Sequence, residues 1–416
     1  MRFVFSNVRI FDGSGAPAYL GEVLVQDDRI IQVSANGRDA GVAREGATVL
    51  DGGGNTLMPG LVEAHAHLSW PSSVERFEPR FVLPPEEMVM ATMRNARILL
   101  DHGFTSAYSA GALGERIEVV LRDDINAGWA PGPRLKASTI ERSPPGANGM
   151  ETGHVSHGRG PDAMRAFMDH CAQLKIDSVK LQLSGEDALM PGASQIILYE
   201  EDEVRAASEG AKKHGLWLNA HTQASAAIKM ALRNDIRVLY HCTFADAEAL
   251  DSLEAKRKEI FVAPAIGVIV ATLEAKPPPH IDMSAMKEAA KPVIELAQRL
   301  IPELRRRGLR ILPGGDYGFP FNPNGANARD LKHFVDLFGY THAEALAAAT
   351  GLGGQIMGME NELGLVKPGY LADLLLVKGD VTRDVSILQR KDNLLAIMKN
   401  GAFHKAPELA ALAKVA

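Results

Sequence analysis

Apolar and polar positions alternate in two textures along this chain. Over the first fifty residues the apolar positions fall in short β-rich runs. Phe3 to Phe11 reads as a strand and Asp12-Gly13-Ser14-Gly15 as a turn. Gly21–Gln26 and Arg29–Val33 flank the turn pair Asp27-Asp28, which predicts a hairpin. From Leu57 onward short apolar runs alternate with stretches of helical spacing. The runs predict strands at Leu57–Ala64, Phe104–Tyr108, Arg134–Ile140, Ser178–Leu183, Leu216–Ala220, Arg237–Tyr240, Ile260–Ala265 and Leu309–Pro313. Between them the spacing predicts helices such as Pro85–His102, Pro161–Leu174, Glu201–His214, Ala224–Asn234, Met283–Arg307 and Ala328–Phe338. Eight strands alternating with helices is the α/β pattern of a parallel (β/α)8 TIM barrel. After a helix predicted over Thr341–Met357, β texture returns at Ala372–Val377 and Asn393–Met398. The two chain ends are alike in kind. That predicts one β domain from residues 1–56 and 362–406, with the barrel inserted as residues 57–361. Pro407–Ala416 reads as a short helix or a frayed end.

Composition narrows the function classes. The chain has 416 residues, 46% hydrophobic and 23% charged, which is ordinary globular usage. Its formal net charge of -6 argues against a nucleic-acid partner. Cys171 and Cys242 are too few for a disulfide framework, which points to a reducing compartment. No segment reads as a signal peptide, and no uncharged apolar stretch approaches the ~18 residues of a membrane span. A cytoplasmic protein without a membrane partner is expected. Arg142 to Gly160, rich in Gly, Pro, Ser and His, reads as a long loop after the third strand, on the face where barrels carry their chemistry. His154 and His157 in that loop are candidate substrate contacts, with solvated loop histidines as the plain alternative.

The chemistry begins at His65-Ala66-His67, where the first barrel strand ends. Residues two apart in a strand share a face, so two imidazoles aim at one point, and imidazole is the commonest protein metal ligand. Lys180 lies within the fourth predicted strand, His221 ends the fifth, His241 ends the sixth, and Asp316 follows the eighth. Neutral imidazoles with a carboxylate suit zinc and similar divalent ions. A lysine ammonium has no acceptor. Lys180 is therefore either a structural cation or, after CO2 adds to its amine, a carbamate able to bridge two metal ions. Two ions ~3.5–4 Å apart can share an activated hydroxide and polarise a carbonyl. Asp316 can bind metal and also carry a proton from the attacking water to the leaving amine. Blander readings cover the rest. Tyr240 should face away from His241 into the core, Cys242 is a buried inert thiol, and Gly52-Gly53-Gly54 is a turn without the Gly-Lys-Ser/Thr of a phosphate loop. His102, His170, His214, His280, His333, His342 and His404 are expected to be structural or solvent-facing.

On these residues the chain resembles members of the amidohydrolase superfamily over nearly its whole length. The resemblance implies a (β/α)8 barrel beside a small β-sandwich built from both chain ends. His65 and His67 match the ligands of the more buried metal, Lys180 the carbamylated bridging lysine, and His221 and His241 the ligands of the second metal. Asp316 matches the catalytic aspartate. Gly364-Leu365-Val366-Lys367-Pro368-Gly369-Tyr370-Leu371-Ala372-Asp373-Leu374 is similar to the family's return to the sandwich. Lys180 followed by Ser184-Gly185 resembles the imidazolonepropionase-like and Xaa-Pro dipeptidase-like branch. Phe104–Gly111 and Pro133-Arg134-Leu135 resemble the ochratoxin-amidase group within it. Some relatives in a phenylurea-hydrolysing group replace the first histidine, and this chain keeps His65. The resemblance implies two divalent ions, zinc by expectation, a homo-oligomer, and hydrolysis of an amide C–N bond. The substrate would be an N-acyl amino acid, a dipeptide or a bulky aryl amide, with an aryl amide of the ochratoxin type favoured. A urea, carbamate or cyclic imide on the same site is the nearest alternative. A non-enzymatic barrel scaffold is another, though such a protein would be expected to lose ligands that this chain retains.

Overall fold

β1 (Arg2–Ile10), β2 (Tyr19–Gln26) and β3 (Arg29–Ala35) form an antiparallel meander, with Gln26 opposite Arg29 across the expected Asp27-Asp28 turn. β4 (Thr48–Asp51) and β5 (Thr56–Pro59) both run parallel to β1, β4 along Phe3–Ser6 and β5 along Arg9–Ile10. These strands belong to a computed structural model that describes residues 1–35, 41–71, 83–144, 158–187, 192–277 and 279–407. β6 (Leu61–Ala66), β7 (Phe104–Ser109) and β8 (Arg134–Lys136) make one parallel sheet. β9 (Ser178–Gln182), β10 (Trp217–Ala224), β11 (Val238–Phe244) and β12 (Phe261–Ala263) make a second. β13 (Leu374–Val377), β14 (Leu394–Lys399) and β15 (Ala402–Lys405) close the chain.

Both chain ends meet in one sheet of order β15-β14-β13-β5-β1-β2-β3, with β4 beside β1. The join is β5, parallel to β1 on one side and antiparallel to β13 on the other. The expected pair of stacked sheets is thus a single sheet that forks at β1, because β4 and β5 share the same edge of that strand. The predicted strand Leu57–Ala64 is also two strands. At Gly60 the chain steps from the terminal sheet into the parallel one, and an added Cβ there would lie 2.1 Å from Thr105 Oγ1.

The parallel strands follow the predicted order, but among the described residues they form two arcs and not one continuous closed ladder. Isolated parallel bridges span the gaps: Arg142 to Leu181, Val262 to Ile311, and Ala66 to Tyr317. The predicted last strand is reduced to two hydrogen bonds, Val262 N–H to Arg310 O and Leu312 N–H to Val262 O, each 2.9 Å. Pro313 then has no N–H to continue the ladder. Helices Pro161–Leu174 and Glu201–His214 occupy the predicted spans. The second opens with a Glu200/Glu203 capping box and ends at left-handed Gly215, a start and stop readable from sequence. Thr341–Met357 breaks at Thr350 into His342–Ala349 and Gly351–Ile356. Helix Ile266–Glu274, which the periodicity did not predict, leaves β12 after left-handed Ala265. Among the described residues no helix is long and apolar enough to cross a membrane. Of the terminal segment read as a short helix or a frayed end, residues 408–416 lie outside the described residues.

Candidate metal centre

The parallel arcs carry the six singled-out residues to one cavity of about 400 Å³. β6 ends at Ala66, so His65 lies within it and His67 just beyond. Lys180 is mid-strand in β9, as expected. His221 and His241 do not end their strands, because β10 runs on to Ala224 and β11 to Phe244. The backbone nevertheless bends at His241 (φ 70°) and Cys242 (φ 55°), and Asp316 is likewise left-handed at φ 61°. All six are buried. His154 and His157 lie outside the described residues.

His65, His67 and Asp316 are grouped as residues that could hold a cation. His67 Nδ1 is 3.0 Å from Gly111 O, which can only accept. In the neutral ring the proton therefore sits on Nδ1 and Nε2 presents a lone pair. That Nε2 is 3.0 Å from Asp316 Oδ1, and His65 Nε2 is 3.5 Å from the same oxygen. Lone pairs facing one another at this distance call for a proton or a cation between them. Among the described residues, neither nitrogen of the buried His65 ring has a hydrogen-bond partner, and no hydrogen bond is aligned on Asp316 Oδ1. Burial, reinforced by the Lys180 charge, holds His65 well below the usual imidazole pKa. Burial does the same to His241, and lowers His221 to about 4. These rings are neutral and available as ligands at pH 7. Ligand atoms of His65, His67 and Asp316 all lie within 4.8 Å of one another. The His221 and His241 rings pack 4.3 Å apart.

Lys180 Nζ donates to Ala110 O at 3.1 Å, sits 3.3 Å from Glu141 Oε1, and lies 4.6 Å above the Tyr240 ring. Tyr240 is buried in the core as expected and also reaches the site. Its ring stacks on His65 at 3.8 Å and its hydroxyl donates to Ala64 O at 3.0 Å. The left-handed turn at His241 breaks the two-residue alternation, so Tyr240 and His241 both touch His65. Cys242 is buried as expected, and burial pushes its thiol up to about 12.

Several site residues escaped the sequence reading. Glu141, directly after the predicted third strand, is a buried carboxylate on the cavity wall. Glu63 lies beneath His65, accepting from His65 N–H at 2.9 Å and from Asn327 Nδ2 at 2.8 Å, and burial pushes it up to about 8. Asp330 brackets the Asp316 turn, accepting from Gly314 N–H at 3.2 Å and Tyr317 OH at 2.9 Å. Asn322 Nδ2 donates to the carbonyls of Gly315 and Asp316. Glu63 had a readable signal, a carboxylate two residues before a histidine pair inside an apolar run. Asp330 and Asn322 had none, since they act through contacts within an irregular turn that leaves no periodic trace.

The chain is similar to known proteins over most of its length. The family model described as the Amidohydrolase family matches residues 56–403. An imidazolonepropionase of Rubrobacter xylanophilus is 24% identical over 419 residues, covering 91% of this chain and 89% of that protein. An ochratoxinase of Aspergillus niger is 22% identical over 379 residues, covering 84% and 76%. The crystal structure of a Xaa-Pro dipeptidase with bound methionine in the active site superposes with a TM-score of 0.84 at 21% identity. It covers 98% of this chain and 100% of its own.

Proposed function

The chain belongs to the amidohydrolase family, and on that premise we propose that it is a metal-dependent hydrolase of carbon–nitrogen bonds that cleaves an amide. The observation carrying this reading is the His67 Nε2 lone pair facing Asp316 Oδ1 at 3.0 Å, beside a His65 ring with both nitrogens unpartnered. A divalent ion would satisfy Asp316 Oδ1 and one ring nitrogen each of His65 and His67, so the donor set fits the group. His65, His67 and Asp316 would hold one ion. His221 and His241 would hold a second, with a carbamate on Lys180 between the two. Imidazole and carboxylate donors make zinc the expected metal. Such ions, when bound, lower the pKa of water and polarise a carbonyl. Asp316 would take a proton from the attacking water and pass it to the leaving nitrogen. Gly111 O fixes the His67 tautomer, and the apolar side of the cavity keeps bulk water from the reacting carbon.

On the same reading, residues 57–361 are a (β/α)8 barrel whose wall is the two arcs. Residues 1–56 and 362–406 are the adjoining β domain, its forked sheet supplying the layers of a sandwich. The substrate is a small molecule: an N-acyl amino acid, a dipeptide or, favoured by the largely apolar cavity, a bulky aryl amide of the ochratoxin type. The test is metal analysis with turnover on an amide, urea and carbamate panel. Asp316→Asn should retain metal and lose at least 10²-fold in kcat. Full activity in that variant or in metal-free protein sinks the proposal. A second reading keeps Lys180 an ammonium ion, favoured by its three partners, Ala110 O, Glu141 and the Tyr240 ring. Protein equilibrated with ¹³CO2 separates the two readings: a carbamate carbon resonance that vanishes in Lys180→Met supports the bridge.

A further inference from the structure

Helix Ser284–Arg306 and the residue before it carry one apolar stripe, Met283, Met286, Ala290, Val293, Ala297, Ile301 and Leu304, spaced three or four apart. Such spacing places them on one face. The C-terminal half of the stripe is closed, since Ala297, Ile301 and Leu304 are buried in the main core. The N-terminal half, from Met283 to Val293, lines the cavity beside the histidines instead. Opposite it, Val268 and Ile269 of helix Ile266–Glu274 face the same space and are only partly buried, although that helix is apolar over most of its length. A core stripe that runs on into a cavity leaves apolar surface for something other than protein to cover.

The second helix is also bound to the Asp316 turn. Val268 N–H donates to Gly315 O at 2.8 Å. Gly267 admits no side chain, since a Cβ would lie 2.8 Å from Tyr317 Oη and 2.9 Å from Gly315 Cα. Whatever rests on this wall is therefore held in fixed register with Asp316. The volume of about 400 Å³ is that of a small-molecule pocket.

We propose that Val268, Ile269, Met283, Met286, Ala290 and Val293 form the wall that receives a bulky apolar group of the substrate, aromatic or branched alkyl, and that this wall selects substrates by the size of that group. The identity of the cleaved bond rests on the amidohydrolase reading above; the wall does not. Two methionines suit groups of irregular outline, because their unbranched side chains adapt. Two series of compounds test it: p-nitroanilides with acyl groups from acetyl through hexanoyl to naphthoyl, and N-acetyl arylamines of rising size. In at least one series kcat/KM should rise about fourfold per buried methylene. Met286→Ala and Val293→Ala should each cut the ratio of kcat/KM for the largest over the smallest member about tenfold. Calorimetry with 1-naphthylacetamide on metal-free protein reads the wall without catalysis, and Val293→Asp should weaken that binding at least tenfold. Probe binding without any amide cleavage supports the wall and removes the hydrolase. Cleavage with no size dependence, or with equal losses across the series in the variants, overturns the wall and leaves the hydrolase standing.

Discussion

Asp330 touches neither the cavity nor any of the four site histidines, yet its loss should disable the site. It is 1% exposed and accepts from Gly314 N–H and Tyr317 OH, the two groups that flank Asp316 in sequence. It also lies 3.2 Å from His333 Nδ1, a ring near enough to the surface to turn to water. In Asp330→Ala the Gly314 amide and the Tyr317 hydroxyl lose their acceptor while still buried. A buried donor left unsatisfied costs about 1–3 kcal/mol, so the pair costs about 2–6 kcal/mol. Against a typical total of about 5–15 kcal/mol, that leaves a weakened protein. Asp330→Asn is the sharper variant. It keeps the volume, and its carbonyl can still serve Tyr317, but its amide then faces the Gly314 N–H donor to donor. One unmet donor predicts about 1–3 kcal/mol of destabilisation. The Asp316 turn should shift with it, so kcat should fall more than KM rises while metal stoichiometry holds. Urea titration gives the first quantity and steady-state kinetics with metal analysis the second. An Asp330→Ala protein within 1 kcal/mol of wild type, turning over at the wild-type rate, would refute the bracketing role.

Metal should stabilise the fold through the same residues: zinc at a hundred times its Kd adds about 2.7 kcal/mol, seen as a chelator-reversible rise in Tm that is absent in His65→Ala. Metal-free protein should weaken in acid. His221, lowered from 6.5 to about 4 by burial, binds fewer protons folded than unfolded, so roughly 3 kcal/mol is lost as pH falls through that window. Urea midpoints at pH 7 and pH 4 measure it, and a flat profile contradicts the neutral buried ring. Glu118, on helix Ile117–Asn126 and pushed from 4.5 up to about 8 by burial, works in the opposite sense. The folded state holds its proton more tightly, so its stability contribution is lost as pH rises from 4.5 to 8, and Glu118→Gln should gain on wild type at pH 9 relative to pH 5. Gly60→Ala should fail to fold at 37 °C or lose several degrees of Tm, because its Cβ would meet Thr105 Oγ1 at 2.1 Å; an unchanged melting curve would show that the step between the sheets is loose.

What could be read from the sequence was periodicity and ligand type. Strand order, the hairpin at Asp27-Asp28 and most helix spans follow from the two- and three-to-four-residue repeats, which depend only on neighbours in the chain. The six residues were readable because imidazole, carboxylate and ammonium groups recurring on five of the predicted barrel strands have few structural uses. Three features were not. The break at Gly60 lies inside a run that is apolar throughout, and only the approach of Thr105 from a distant segment requires it. Helix Ile266–Glu274 extends the apolar run of β12, where hydrophobicity does not separate a strand from a buried helix. Tyr240 packs in the core as alternation predicts, but its stacking on His65 was not readable, because alternation holds only while the strand stays extended and His241 is not extended.

Two kinds of local cost coincide around the cavity, and together they argue for a ligand more strongly than either does alone. Left-handed backbone at non-glycine positions occurs elsewhere mainly at Asn7, Asp27, Asp235 and Asn400, residue types that tolerate it in turns. Cys242, Ala265 and Phe321 are not of those types; each is a departure of order 1–3 kcal/mol, and they lie next to His241, at the head of the helix that walls the cavity and on the cavity itself, where His241 and Asp316 are left-handed too. The unpartnered nitrogens of His65 and the bare Oδ1 of Asp316 are the second cost, at the same place. Removing water from imidazole and carboxylate without compensation is unfavourable by about 1–3 kcal/mol per group or more. A cation among these atoms offsets the second cost directly. It offsets the first as well, because the bends at His241 and Asp316 are what turn their side chains inward. The strain and the orphaned polar atoms are then two parts of one preorganised site, and removing the bend should remove metal affinity even with every ligand retained. Asn322 makes that separable. Asn322→Ala deletes the two hydrogen bonds that hold the Gly315 and Asp316 carbonyls and touches no ligand atom, so a zinc affinity equal to wild type in that variant would show that the bend contributes nothing to the site.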